Sequence, residues 1–223
     1  MDIKVIKVGI CNCYIVKDEE TIVIDAGMPG NCDLFSKGLQ KIGVTPTDIK
    51  AIIVTHCHWD HIGCANKIKE LTGAKVIVNK NEKDILEQGK ISMPPGVTRW
   101  GKIFGPLVKG LSTKHTIEPT EVDIALGEEN YSLEEFGIKG KVIFTPGHSL
   151  GSSSVVLDSG EAFVGDAAMN GLPLTIKPNL PIFAEDMVAL KNSWKKLIDM
   201  GVKRVYPAHG KSFPIEKIEK LLS

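Results

Sequence analysis

Short apolar runs broken by turn residues set the rhythm of the first ninety positions. Val5-Ile6-Lys7-Val8 and Tyr14-Ile15-Val16 predict two strands, and Thr21-Ile22-Val23-Ile24 a third that stops at Asp25-Ala26-Gly27. Lys50 to Thr55 is an apolar run between polar neighbours and predicts a buried strand, as does Lys75 to Val78. Helical periodicity fills the gaps. One helix is capped at Asn31 or Asp33 and runs to Ile42, with Gly43 as its stop. A second runs from near Gly63 to Leu71 and ends at Thr72-Gly73, and Lys80 to Gln88 is helical in composition.

The second half repeats this rhythm. Lys141 to Thr145 predicts a strand leading into Pro146-Gly147-His148. Ser154–Leu157 and Ala162–Gly165 predict a hairpin across Asp158-Ser159-Gly160. From Asp186 to Met200 the apolar residues Met187, Leu190, Trp194, Leu197 and Ile198 share one helical face before Gly201, and Arg204-Val205-Tyr206 is the last strand expected. Residues 91–112 break the pattern, with Pro94, Pro95, Pro106, four glycines and no acidic residue. They read as an irregular loop or short-helix insertion, near 91–114, in a single α/β (α+β) domain spanning 1–223.

Composition narrows the function classes. Of the 223 residues 43% are hydrophobic, enough to bury a sizeable core. Lys plus Arg and Asp plus Glu are 27 each, so no net charge steers the chain to nucleic acid or an acidic membrane. Met1-Asp2-Ile3-Lys4 starts no leader sequence, and no apolar run is long enough to span a bilayer. The five cysteines, Cys11, Cys13, Cys32, Cys57 and Cys64, form no even framework, so a reducing, cytoplasmic setting is expected, with Cys57 and Cys64 as packing residues.

Four polar clusters each follow a strand: His56 to His61, His148, Asp166 and His209. Strand ends converge on one sheet edge, where ligands bind. Three of the six histidines lie within His56-Cys57-His58-Trp59-Asp60-His61. In an extended chain His56 and His58 point the same way and can reach one cation, while Asp60 and His61 turn toward a neighbouring position. Imidazole with carboxylate suits zinc, and also iron or manganese. His115 fits no such cluster and reads as a surface histidine.

These motifs, in this order and over nearly the whole chain, resemble the signature of the metallo-β-lactamase superfamily. The resemblance implies a four-layer αββα sandwich with two divalent metal ions, zinc in the first instance, at one edge of the sheets. It implies that His56, His58 and His148 hold one ion, that Asp60, His61 and His209 hold the other, and that Asp166 bridges them. Asp25 then supports the ligands by hydrogen bonding. A metal-bridging hydroxide would be the nucleophile, and Asp60 would carry the proton.

Within the superfamily, Asp166 departs from the β-lactamases themselves, which place cysteine or serine there, and Met169 departs from the tyrosine of acyl-homoserine lactonases. A small-molecule ester, thioester or lactone is the expected substrate. A mononuclear-iron persulfide dioxygenase and a phosphodiester hydrolase of the RNase Z kind are the alternatives. Trp100, Phe104, Arg99, Lys102 and Lys109 are candidates for one pocket wall, and Leu172 to Phe183 for the other.

Overall fold

The protein is described here by a computed structural model that covers residues 1–170 and 180–222. Twelve strands form two six-stranded sheets. The first holds β1 (Asp2–Val8), β2 (Cys11–Lys17), β3 (Thr21–Ile24), β4 (Ile49–Ile53), β5 (Lys75–Asn79) and β6 (Ile124–Leu126), side by side in that order. β1 to β3 pair antiparallel and β3 to β6 parallel. The parallel half needs crossovers, and α1 (Cys32–Ile42), α2 (Trp59–Ile62), α3 (Ala65–Thr72), α4 (Lys80–Glu87) and α5 (Arg99–Ser112) occupy them. The second sheet holds β7 (Tyr131–Ser132), β8 (Gly140–Phe144), β9 (Ser153–Leu157), β10 (Glu161–Phe163), β11 (Arg204–Tyr206) and β12 (Phe213–Pro214). Only β10–β11 is parallel, across the helix α6 (Met187–Asp199); α7 (Glu216–Leu222) follows β12.

Side-chain alternation along the strands explains the layering. Ile22, Ile24 and Ile53 face the second sheet and pack with Val142, Val155 and Phe163. Their chain neighbours Val23 and Ile52 face outward onto Phe35, Leu39 and Ile68 of α1 and α3. On the far side Val156 and Ala162 pack against Leu190, Trp194 and Leu197 of α6. Each such burial contributes about 1.5–3 kcal/mol. A one-residue slip would turn every one of these side chains to the wrong layer. The result is the four-layer αββα sandwich.

The structure departs from the sequence expectations in four places. Residues 99–112 form a helix despite Pro106, because the Thr98 hydroxyl accepts the Gly101 N–H at 3.0 Å and caps its first turn. A helical turn, Trp59–Ile62, forms inside the histidine cluster ahead of the helix expected from near Gly63, which is α3. The short elements β6, β7, β12 and α7 carry too few residues to show a period. Finally, Cys64 is not a packing thiol: it is disulfide-bonded to Cys32, with Cα atoms 5.4 Å apart. The close seating of Gly63 on the Pro29 backbone brings the two cysteines together, since a Cβ there would lie 2.1 Å from Pro29 N. Cys11, Cys13 and Cys57 are free and buried. No helix among the described residues is long and apolar enough to cross a membrane.

The Cys32–Cys64 bond closes a loop of 32 residues. Cys64→Ser, or reductant, is expected to lower the unfolding free energy by about 3–4 kcal/mol. Urea titrations of the oxidised and reduced protein check this, and coincident curves would show that the bond does not form.

Candidate metal centre

Seven side chains from four segments meet where the two sheets open. His56, His58, Asp60 and His61 follow β4, and α2 starts within that cluster. His148 follows β8, Asp166 follows β10 and His209 follows β11. All seven residues are buried, from 0% exposed at His61 to 8% at Asp60.

Hydrogen bonds on the outer side of four imidazoles fix which nitrogen faces inward. His61 donates through Nδ1 to Asp25 at 3.0 Å, His148 to the Phe183 carbonyl at 2.8 Å and His209 to the Ile10 carbonyl at 3.1 Å. His56 donates through Nδ1 to the Thr55 hydroxyl at 3.1 Å, and that hydroxyl donates to Asp25 at 2.9 Å. Each Nε2 therefore faces inward, where the neutral ring offers its lone pair to a cation.

Nε2 of His148 lies 3.2 Å from Nε2 of His56 and 2.9 Å from Nδ1 of His58. Lone pairs held that close repel unless a proton or a cation lies between them. Asp60 Oδ2 sits 3.1 Å from His209 Nε2 and 4.0 Å from His61 Nε2. Between the two groups stands Asp166. Its Oδ1 is 3.3 Å from His209 Nε2 and 3.5 Å from His61 Nε2, and its Oδ2 is 3.7 Å from His148 Nε2. His61 Nε2 and Asp166 Oδ1 are buried with no hydrogen-bond partner. Orphaned buried donor atoms of this kind are the mark of a metal centre, and the ligand atoms within His56/His58/His148 and within Asp60/His61/His209 are close enough for one ion each.

The two groups differ in their electrostatic surroundings. Burial, reinforced by neighbouring histidines, holds His56 and His58 well below the ordinary imidazole value, and burial also lowers His148. Burial pulls His61 and His209 the same way but is outweighed, at His61 by Asp166, Asp25 and Asp60 and at His209 by Asp166 and Asp60, so both are raised. Asp60 and Asp166 are lowered: burial would raise them, and the histidines beside them overcome it.

Residues that the sequence did not single out hold this arrangement in place. Glu82, in the first turn of α4, is 3% exposed. It accepts the Cys57 N–H at 3.0 Å between His56 and His58, the Gly151 N–H at 3.1 Å and the Ser149 hydroxyl. Gly151 permits this approach, since a Cβ there would fall 2.4 Å from Glu82 Cγ. Asn12 and Tyr14 of β2 hold the loop of His209: Asn12 donates to the Gly210 carbonyl at 2.8 Å and Tyr14 to the Pro207 carbonyl at 2.7 Å. Gly165, at φ 52°, lets the Asp166 loop lie on Thr55, where a Cβ would come within 2.4 Å of Thr55 Oγ1. No local signal marks Glu82, Asn12 or Tyr14, because their partners are distant in the chain.

His115 is not among the converging residues. It is half-buried and stacks on Trp59 with ring centroids 5.0 Å apart. A cavity of about 180 Å³ opens onto the centre. α5 contributes Val108 to it, and Ile182 and Phe183 form part of the opposite side. Lys102 and Lys109 line a separate groove. The side chains of Trp100 and Phe104, and residues 171–179, lie outside the described residues.

The metallo-β-lactamase superfamily profile matches residues 6–209, and the chain belongs to that superfamily. A probable metallo-hydrolase of Methanocaldococcus jannaschii is 27% identical over 205 residues, covering 89% of this chain and 87% of the relative. A metallo-β-lactamase fold-containing protein of Sulfurisphaera tokodaii is 30% identical over 211 residues, or 90% of this chain and 73% of the relative. Among solved structures, the B3 metallo-β-lactamase BLEG-1 superposes with a TM-score of 0.74 at 23% identity, covering 100% of both chains. This last likeness is one of fold.

Glu82→Gln keeps the shape of the side chain and removes its charge. Metal affinity is expected to fall about 10-fold or more, the usual cost of disturbing a group that orients ligands. Chelator competition against a zinc indicator measures it; an unchanged affinity would remove Glu82 from this role.

Proposed function

We propose that this chain is a metal-dependent hydrolase of a small ester, thioester or lactone, and that it works with two divalent cations, zinc in the first instance. His56, His58 and His148 would hold one, Asp60, His61 and His209 the other, and Asp166 would stand between them. The observation that carries this reading is the pair of buried, unpartnered atoms, His61 Nε2 and Asp166 Oδ1, at the point where the imidazoles and carboxylates converge. Its curated relatives, named as probable metallo-hydrolases, support it. When bound, two such cations supply Lewis acidity and bring the pKa of water toward neutrality.

The residues of the chain do the rest. Asp60 lines the cavity, so its carboxylate reaches the space where substrate and water meet. It takes the proton of the attacking water and returns it to the leaving group. The Thr55 and Asp25 chain keeps His56 and His61 aimed inward throughout. No serine or thiol nucleophile is used, since Cys57 turns into the core and is fully buried.

Metal analysis after expression with zinc, iron and manganese supplied together tests the reading. About two zinc ions per chain are expected, falling in Asp166→Ala; a single iron per chain would overturn the two-metal mechanism. The proton count is a second readout. The carboxylates beside them raise the proton affinity of His61 and His209, whereas burial lowers that of His56, His58 and His148. Loading is therefore expected to release protons at pH 7, with the release shrinking as pH rises through the raised values. Calorimetry in two buffers of different ionisation enthalpy measures it.

A further inference from the structure

The cavity over the centre is divided by chemistry. Its floor is polar and consists of His58, Asp60, His148, Asp166 and His209. Its walls are apolar, with Ile10, Trp59, Met93, Val108, Met169 and Ile182 among them. Among the described residues no lysine, arginine, serine, threonine, tyrosine, asparagine or glutamine lines it. The basic side chains of α5 that could have met an anion, Lys102 and Lys109, open onto the groove beyond Met93 and Pro94 instead. α5 thus turns Val108 to the cavity and its lysines away from it.

Among the described residues the walls offer apolar area and no charged or hydroxyl side chain to partner a charge. Each methylene that leaves water for them gains about 0.8 kcal/mol, or roughly fourfold in affinity. A carboxylate placed there without a partner loses its hydration and gains nothing in return. Size sets the other limit. A dry apolar cavity of roughly 150 Å³ takes a six-carbon ring, so one of about 180 Å³ that also holds the carbonyl at its floor takes a chain of about six carbons.

We propose that the cavity binds the neutral acyl part of the substrate, an unbranched or cyclic hydrocarbon chain of about six carbons, and rejects acyl groups that end in a negative charge. This rests on the hydrolase reading for the bond that is cleaved, but the ligand preference can be measured without turnover. The scissile carbonyl lies at the floor, the chain lies against Met169, Ile182 and Val108, and the alcohol or thiol leaves through the open side.

Hexanoate and adipate separate the possibilities. They have equal length, and each has one carboxylate for the cations at the floor; only adipate carries a second charge into the walls. On the zinc-loaded protein, calorimetry is expected to show hexanoate bound about 100-fold more tightly than adipate. The order of affinity from acetate to hexanoate should rise about fourfold per methylene and then level off. Val108→Lys places a cation in the wall and is expected to reverse the preference toward adipate. Equal affinities in the unaltered protein, or no measurable binding of hexanoate, would overturn the proposal. Turnover of hexanoyl and adipoyl thioesters is read in parallel. Selective binding of hexanoate without cleavage of either thioester would sink the hydrolase reading and leave the cavity assignment standing.

Discussion

The site depends first on one buried carboxylate, Asp25. It ends β3 in a left-handed conformation, at φ 62°, which an L-residue adopts only under constraint. That geometry turns its side chain toward the end of β4, where the carboxylate accepts the Thr55 N–H at 2.8 Å, the Thr55 hydroxyl and Nδ1–H of His61. Through Thr55 it also fixes His56. One anion thus sets the tautomer and direction of two converging histidines and ties two neighbouring parallel strands at the edge where they would otherwise splay. Burying it without these donors would cost several kcal/mol, so the loop has little freedom to relax.

The second sheet must be brought to the same point, and polar ties at its edge do this. Ser153 N–H donates to the Thr55 carbonyl at 2.9 Å, and Asn12 N–H to the Ala208 carbonyl at 2.8 Å. Glu82 holds the His56–His58 backbone and the loop after His148 with the two oxygens of one side chain. Beneath the floor, Tyr14 from the first sheet packs on Phe163 and Tyr206 from the second, with ring centroids 5.0 and 5.7 Å away. Core packing brings the sheets together, and the hydrogen bonds above it hold the ligand-bearing loops in place.

Much of this was legible along the chain, and the limit has a physical cause. The strands and helices that build the layers carry their own period, so β1 to β5, β8 to β11, α1, α3, α4 and α6 can be read directly. The His56–His61 cluster is legible because residues that share an ion must be close, and a tight turn makes them close in sequence. His148, Asp166 and His209 are single residues at strand ends and acquire meaning only in combination. Glu82, Asn12 and Tyr14 act on backbone atoms 25, 198 and 193 positions away, and such bonds leave no local pattern. The Cys32–Cys64 pair was missed for the same reason. In α5 the proline and glycines masked a helix whose start rests on the single hydroxyl of Thr98.

Polar floor and apolar walls also act on each other. Side chains such as Trp59, Met169 and Ile182 keep water from the converging donors, and in that low-dielectric setting the attraction of Asp60 and Asp166 for a cation is stronger than it would be at a surface. The same exclusion makes a second, unpartnered charge costly a few ångströms higher. Affinity for cations below and preference for a neutral chain above therefore have one origin. A substitution that wets the walls would weaken both, even where it touches neither the ligands nor the bond to be cleaved.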